Sequence, residues 1–115
     1  MATFPLVLFS TEPARDRVTL KVHGELELTT TPLLRRELDE LIDLGWRRID
    51  VDLEAVEFLD LGAVRTLVHT ARRVAVEGGS LSIVHADGAL ARVLRLAGDE
   101  LTQVSARPVE GIAGV

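Results

Sequence analysis

Asp50 and Asp52 are the first pair of side chains that could do chemistry. On an extended strand, residues two apart share a face. Two carboxylates so placed can hold a cation or take up a phosphoryl group, and the same spacing also arises from plain alternation with a polar outer face. Further on, Asp60 stands directly before Leu61-Gly62-Ala63-Val64. An aspartate there caps a helix through its first-turn amides, a contribution of about 1 kcal/mol. Arg65, His69, Arg72 and Arg73 recur along one side of the segment that follows. Such a cationic strip reads either as a surface for an acidic partner or as a solvated face. His23, His69 and His85 show no ligand spacing, so neither a metal nor a cofactor is expected. The chain has no cysteine, which removes thiolate nucleophiles, thiolate metal ligands and disulfides. Gly78-Gly79 and Gly88 form no phosphate-binding signature and read as turns. No Ser-His-Asp or paired-carboxylate arrangement follows from spacing, and an enzyme is not expected.

The elements that position these groups follow from periodicity. Phe4 to Ser10 is mostly apolar and reads as a strand that Pro5 confines to an edge. Thr11 to Asp16 reads as a turn. Val18, Leu20 and Val22 alternate with Arg17, Thr19, Lys21 and His23, a strand ended by Gly24. Thr31 before Pro32 starts a helix, with Thr31 as its cap. Leu34, Leu38, Leu41 and Ile42 carry its buried face, and Gly45 stops it. Arg48 to Leu53 alternates again. A second helix runs from the Asp60 cap along Val64, Leu67, Val68, Ala71 and Ala75 to Gly78-Gly79. Ser80 to His85 is a strand, Asp87 caps a third helix through Leu90, Val93, Leu94 and Ala97, and Leu101 to Ser105 is a short last strand.

At 115 residues, 47% hydrophobic and 27% charged, the chain has the length and composition of one domain over 1–115, with a core over about 4–105 and a loose tail over 106–115. A net charge of -5 argues against nucleic acid as partner, since phosphate binding needs a concentrated basic surface. No apolar run approaches the roughly 18 residues of a membrane span, and the start lacks a signal-peptide pattern, so the cytoplasm is the expected location.

The order β, β, α, β, α, β, α, β implies an α/β fold with a mainly parallel sheet, right-handed crossovers and an N-terminal edge strand. Strands covered on both faces read as continuous apolar runs. Here Thr19 and Lys21, Asp50 and Asp52, and Ser80 and Ser82 keep one side polar. Helices are therefore expected mostly on one face, in a β/α superhelix.

Three stretches, in this order and on these elements, resemble the STAS domain family of sulphate transporters and anti-sigma factor antagonists, over roughly residues 6–105. Gly24-Glu25-Leu26-Glu27-Leu28 is similar to the family's G-E-L-D-L segment. Ile49-Asp50-Val51-Asp52-Leu53 resembles its strand ending in Asp-Leu. Val56-Glu57-Phe58-Leu59-Asp60 followed by Leu61-Gly62-Ala63-Val64 stands in the place of its V-x-F-[ILM]-D-S-[ST]-G-L signature.

The resemblance implies a regulatory module that binds an anti-sigma factor of the histidine-kinase ATPase type, with no cofactor. In such antagonists the serine after the signature Asp is phosphorylated by that kinase, and the added charge of about -2 separates the complex. This chain departs there: the serine position is Leu61, the next is Gly62, and Glu27 replaces the usual Asp. Leucine has no hydroxyl to phosphorylate. The partner-binding residues carried over are Glu25, Glu27, Thr29, Asp60, Leu61, Gly62, Arg65 and His69. A second partner class is the cytosolic ATPase of an ABC-type lipid transporter, and a third reading is a scaffold that self-associates as a homodimer or joins a signalling assembly. A phosphorelay receiver domain is set aside, because two strands precede the first helix and no lysine follows Leu101.

Overall fold

A computed structural model of the chain describes residues 6–97 and 103–106. The elements are β1 (Val7–Pro13), β2 (Val18–Leu26), α1 (Thr31–Asp43), β3 (Arg48–Leu59), α2 (Leu61–Val76), β4 (Ser80–Ala86), α3 (Gly88–Ala97) and β5 (Gln103–Ala106). The strands form one five-stranded sheet in the order β1-β2-β3-β4-β5. β1 runs antiparallel to β2, and every later pair is parallel. Each β-to-α step therefore crosses over the sheet and returns beside its neighbour. This is the mainly parallel sheet with an N-terminal edge strand that the sequence implies.

Alternation decides which face is covered. Val18, Leu20 and Val22 of β2, Ile49, Val51 and Leu53 of β3, and Leu81 and Ile83 of β4 are all buried. Leu34, Leu38, Leu41 and Ile42 of α1 and Ala63, Val64, Leu67, Ala71 and Val74 of α2 are buried in the same core cluster. Ala91 and Leu94 of α3 join them. Thr19, Lys21, Asp50 and Ser82, on the opposite face, stay partly open to solvent. Ion pairs cross that face, Arg17 to Asp50 at 3.3 Å and Lys21 to Glu12 at 2.9 Å. Exposed pairs of this kind add at most about 1 kcal/mol each. No helix among the described residues is long and apolar enough to cross a membrane.

Several local expectations are corrected. Gly24 does not end β2. The strand runs on to Leu26, with Gly24 at φ +110 and the register against β3 shifting beside it. Thr11 to Pro13 belongs to β1 rather than to a turn, because Thr11, Glu12 and Pro13 pair with Leu20, Thr19 and Val18. The cap position of α1 is Thr30, not Thr31. Ala75 is exposed, and Val74 takes its place in the buried stripe of α2. Phe4, Pro5, Gly98, Leu101 and the tail beyond 106 lie outside the described residues.

Candidate functional site

β3 is twelve residues long and overhangs β4, whose pairing with it stops at Asp52 opposite Val84. Two register shifts against β2 interrupt the overhang. Lys21 pairs with Asp52 and His23 with Ala55, so β3 carries one extra residue there; Gly24 pairs with Val56 and Glu25 with Phe58, which gives a second. Such bulges twist a strand and re-aim its side chains. Phe58, which simple alternation from buried Val56 would turn inward, is half exposed at 50%.

Beyond the bulges the strands realign, Leu26 opposite Leu59. The Asp60 amide donates to the Leu26 carbonyl at 3.0 Å. This bond ties the β2–α1 loop to the start of α2. Leu28, two residues past Leu26, is exposed at 82%, and Leu61, two past Leu59, at 62%. Phe58, Leu28 and Leu61 thus gather apolar side chains around the adjoining ends of two central strands.

The loop is held by its own polar groups. Thr30 is buried, and its hydroxyl donates to the Glu25 carbonyl while accepting from the Glu27 amide. The Thr30 and Thr31 amides both donate to the Glu27 carbonyl. The Thr29 amide and hydroxyl donate to the Glu27 carboxylate. The Thr29 hydroxyl bond is the main cause that holds the Glu27 carboxyl below the ordinary carboxylate range. Glu25 and Glu27 are partly buried and Thr29 is exposed, so an ordered acidic rim flanks the apolar tip.

α2 opens as expected. Asp60 accepts from the Ala63 amide at 2.9 Å, a helix cap. Gly62, Arg65 and His69 are exposed along the outer side of the helix. The structure therefore brings Glu25, Glu27, Thr29, Asp60, Leu61 and Gly62 to one end of the sheet, and sets Arg65 and His69 along the helix that leaves it. Replacing Asp60 by Ala removes the cap. It should lower stability by about 1 kcal/mol, read as a shift in the thermal midpoint, with no change elsewhere in the fold.

The hydroxyl nearest to Leu61 along α2 belongs to Thr66, five residues further on. Thr66 donates its hydroxyl back to the Gly62 carbonyl at 3.1 Å. It lines a groove with Arg35, Asp39, His69, Thr70 and Arg73, away from the apolar tip.

Two polar groups behave otherwise than their spacing suggests. Asp52 is not on a solvated face: it is only 7% exposed. Its carboxylate accepts from the Glu54 amide at 2.9 Å and lies 3.1 Å from His85 Nδ1. Alternation after Leu81 and Ile83 would send His85 to the helix side. Its φ of +58 turns it instead towards Asp52, where β4 also shifts register against β5. Asp52, Glu54 and His85 offer donor atoms within 4.8 Å of one another. These hydrogen bonds pin two strand irregularities together, while Asp50 faces Arg17 instead.

A family model described as "Mlab, STAS domain" matches residues 9–101. Among solved structures, the chain is similar to an anti-sigma factor antagonist from Mycobacterium paratuberculosis, at 23% identity and a TM-score of 0.76, over 91% of this chain and 89% of that one. It is also similar to the anti-sigma factor antagonist SpoIIAA in its unphosphorylated form, at 19% identity and a TM-score of 0.71, over 92% of this chain and 94% of that one. The Bacillus cell fate determinant SpoIIAA in the phosphorylated form gives 20% identity and a TM-score of 0.69, over 92% and 96% of the two chains. No curated protein matches the chain in sequence. At these identities the likeness is one of fold.

Proposed function

The chain belongs to the STAS domain family, and from that premise we propose that it is a regulatory protein-binding module of the anti-sigma factor antagonist type, which binds a kinase-type anti-sigma factor and is not phosphorylated at the usual site. The observation that carries this is Leu61: an apolar side chain, 62% exposed, at the first position of α2. A leucine left in water at a helix start gives nothing to the core. In contact with a partner it would bury apolar surface at about 25 cal/mol per Å². Leu28 and Phe58 are exposed too, near the adjoining strand ends from which Leu61 follows.

Control by phosphorylation has no chemical foothold at this point. A phosphoryl group needs a hydroxyl oxygen to form its ester bond, and residues 60–64 are Asp, Leu, Gly, Ala and Val. Binding is then constitutive and set by expression. Incubation with a cognate kinase-type anti-sigma factor and ATP should give no phosphate mass gain on the peptide that carries residues 60–64. The complex should survive with and without ATP. ATP-dependent dissociation, or labelling of that peptide, would contradict the proposal.

The same face suits a second partner class, the cytosolic ATPase of an ABC-type transporter. Leu61 itself favours that reading, since a transporter subunit has no need of a phosphoserine cycle. Pull-down followed by mass identification separates the two, according to whether a sigma-regulating kinase or a transporter ATPase is recovered.

A further inference from the structure

The pairing of β3 with β4 stops at Asp52 opposite Val84, although β3 runs on to Leu59 and β4 to Ala86. Three groups able to bind a metal stand where the ladder ends. Asp52 and Glu54 lie two residues apart on β3. His85, 33 residues beyond Asp52, comes from β4. Its φ of +58 turns it to Asp52, with Nδ1 3.1 Å from the carboxylate. A donor atom from each of the three lies within 4.8 Å of the others. This is no run of surface acids. One donor is an imidazole nitrogen from a second strand, and Asp52 is more than nine-tenths buried, at 7% exposed. Lys21 stands opposite Asp52 on β2, but its ammonium meets Glu12 at 2.9 Å.

We infer that Asp52, Glu54 and His85 bind one divalent transition-metal ion, with Zn²⁺ as its representative. Zinc takes carboxylate oxygen at about 2.0–2.2 Å and imidazole nitrogen at about 2.0–2.1 Å in a tetrahedron, so its ligand atoms stand roughly 3.4 Å apart. The Asp52–His85 distance of 3.1 Å is already close to that. Glu54 is exposed, and drawing it in asks only for a change of rotamer. Glu54 also has an interaction of its own. A carboxylate carries about four acceptor sites on its two oxygens, so that contact and an ion can be held together. With His85 as the Nε2–H tautomer, the ion takes the place between Nδ1 and the Asp52 carboxylate, and water completes the tetrahedron from the exposed side. The imidazole favours zinc over Mg²⁺ and Ca²⁺, which prefer shells of oxygen. Such an ion would fasten β3 to β4 just where their ladder ends. The spacing of histidines along the chain does not show this site, because its ligands come from two strands.

The test uses the full chain, stripped with a chelator and desalted, then titrated with ZnCl₂ by calorimetry and followed by amide NMR shifts. A single Zn²⁺ should bind, raise the thermal midpoint, and shift amides around Asp52, Glu54 and His85. Mg²⁺ and Ca²⁺ should bind at least about tenfold more weakly. Glu54→Gln is an exposed and nearly isosteric change, and His85→Asn keeps a residue that tolerates positive φ. Each should weaken Zn²⁺ binding at least about tenfold. His69→Asn, on α2, should bind Zn²⁺ as the parent does. No uptake, uptake undiminished in both Glu54→Gln and His85→Asn (an adventitious ion only), or shifts centred on His23 or His69 would overturn the inference. If His85→Asn does not fold, Glu54→Gln decides alone. Neither result bears on the partner reading, since Leu61 takes no part in the site.

Discussion

Leu61→Glu should abolish capture of the partner while the isolated protein stays as stable as before. The stability half follows from exposure. At 62% exposed, Leu61 lies outside the core cluster, and surface substitutions of this kind change stability by no more than about 0.5 kcal/mol. Glutamate also suits the first turn of a helix, where the macrodipole favours negative charge. The binding half follows from desolvation. A carboxylate forced into an apolar contact without a partner costs several kcal/mol, which is at least about a hundredfold in affinity. Acidic Glu25 and Glu27 border the patch and would add repulsion. Thermal midpoint and quantitative pull-down, measured on the same preparation, check both halves. Unchanged capture would remove Leu61 from the contact. Loss of capture together with loss of the fold would show that Leu61 has a structural duty its exposure denies.

The companion change Leu61→Ser separates shape from chemistry. It restores a hydroxyl at the first position of α2, next to the Asp60 cap. A kinase-type partner should then transfer phosphate to that peptide, and capture should become sensitive to ATP. A transporter ATPase would leave the introduced hydroxyl unmodified.

Where period and burial agree, the sequence was a sufficient guide. The leucine and isoleucine repeat of α1 and the stripe of α2 are the residues that fill the core, apart from the exchange of Ala75 for Val74. Polar residues at every second position of β2, β3 and β4 announced an uncovered face. Asp60 before an apolar periodic run announced a cap. Each of these features is set by neighbours within about one helical turn or two strand residues.

What escaped the sequence depends on partners far along the chain. The exposure of Phe58 follows two bulges in β3, and a bulge is a mismatch between two strands rather than a property of one. His85 is drawn to an aspartate 33 residues away. Leu28 lies between a strand and a helix that do not bury it, and only the Leu26–Leu59 register shows that the strand ends leading to Leu28 and to Leu61 adjoin. The candidate site was therefore legible at its start on α2 and in the carried-over loop. Its apolar extent was not, because that extent is assembled by sheet register.

The same register makes Gly24 the most sensitive position in the frame of the site. A β-carbon added there would collide with the Leu6 carbonyl oxygen, and the backbone sits at φ +110. Neither problem can be relieved alone. The Leu6 carbonyl is fixed by the Glu25 amide at 3.1 Å, and the positive φ is what lets β2 continue past its register shift to Leu26. Gly24→Ala should therefore cost on the order of 3 kcal/mol or more, combining conformational strain with a backbone collision. Gly45 is the control. It also has a positive φ, +101, but a β-carbon there meets nothing within 4 Å. Gly45→Ala should cost only the left-handed strain, about 1–2 kcal/mol. Urea unfolding of both variants at constant m-value reads the difference. Partner capture by folded Gly24→Ala should also weaken, because Leu26, whose carbonyl holds the Asp60 amide, shifts with it. Equal costs at the two glycines would mean that β1 does not press on Gly24, and the register that sets Leu26 opposite Leu59 would lose its anchor.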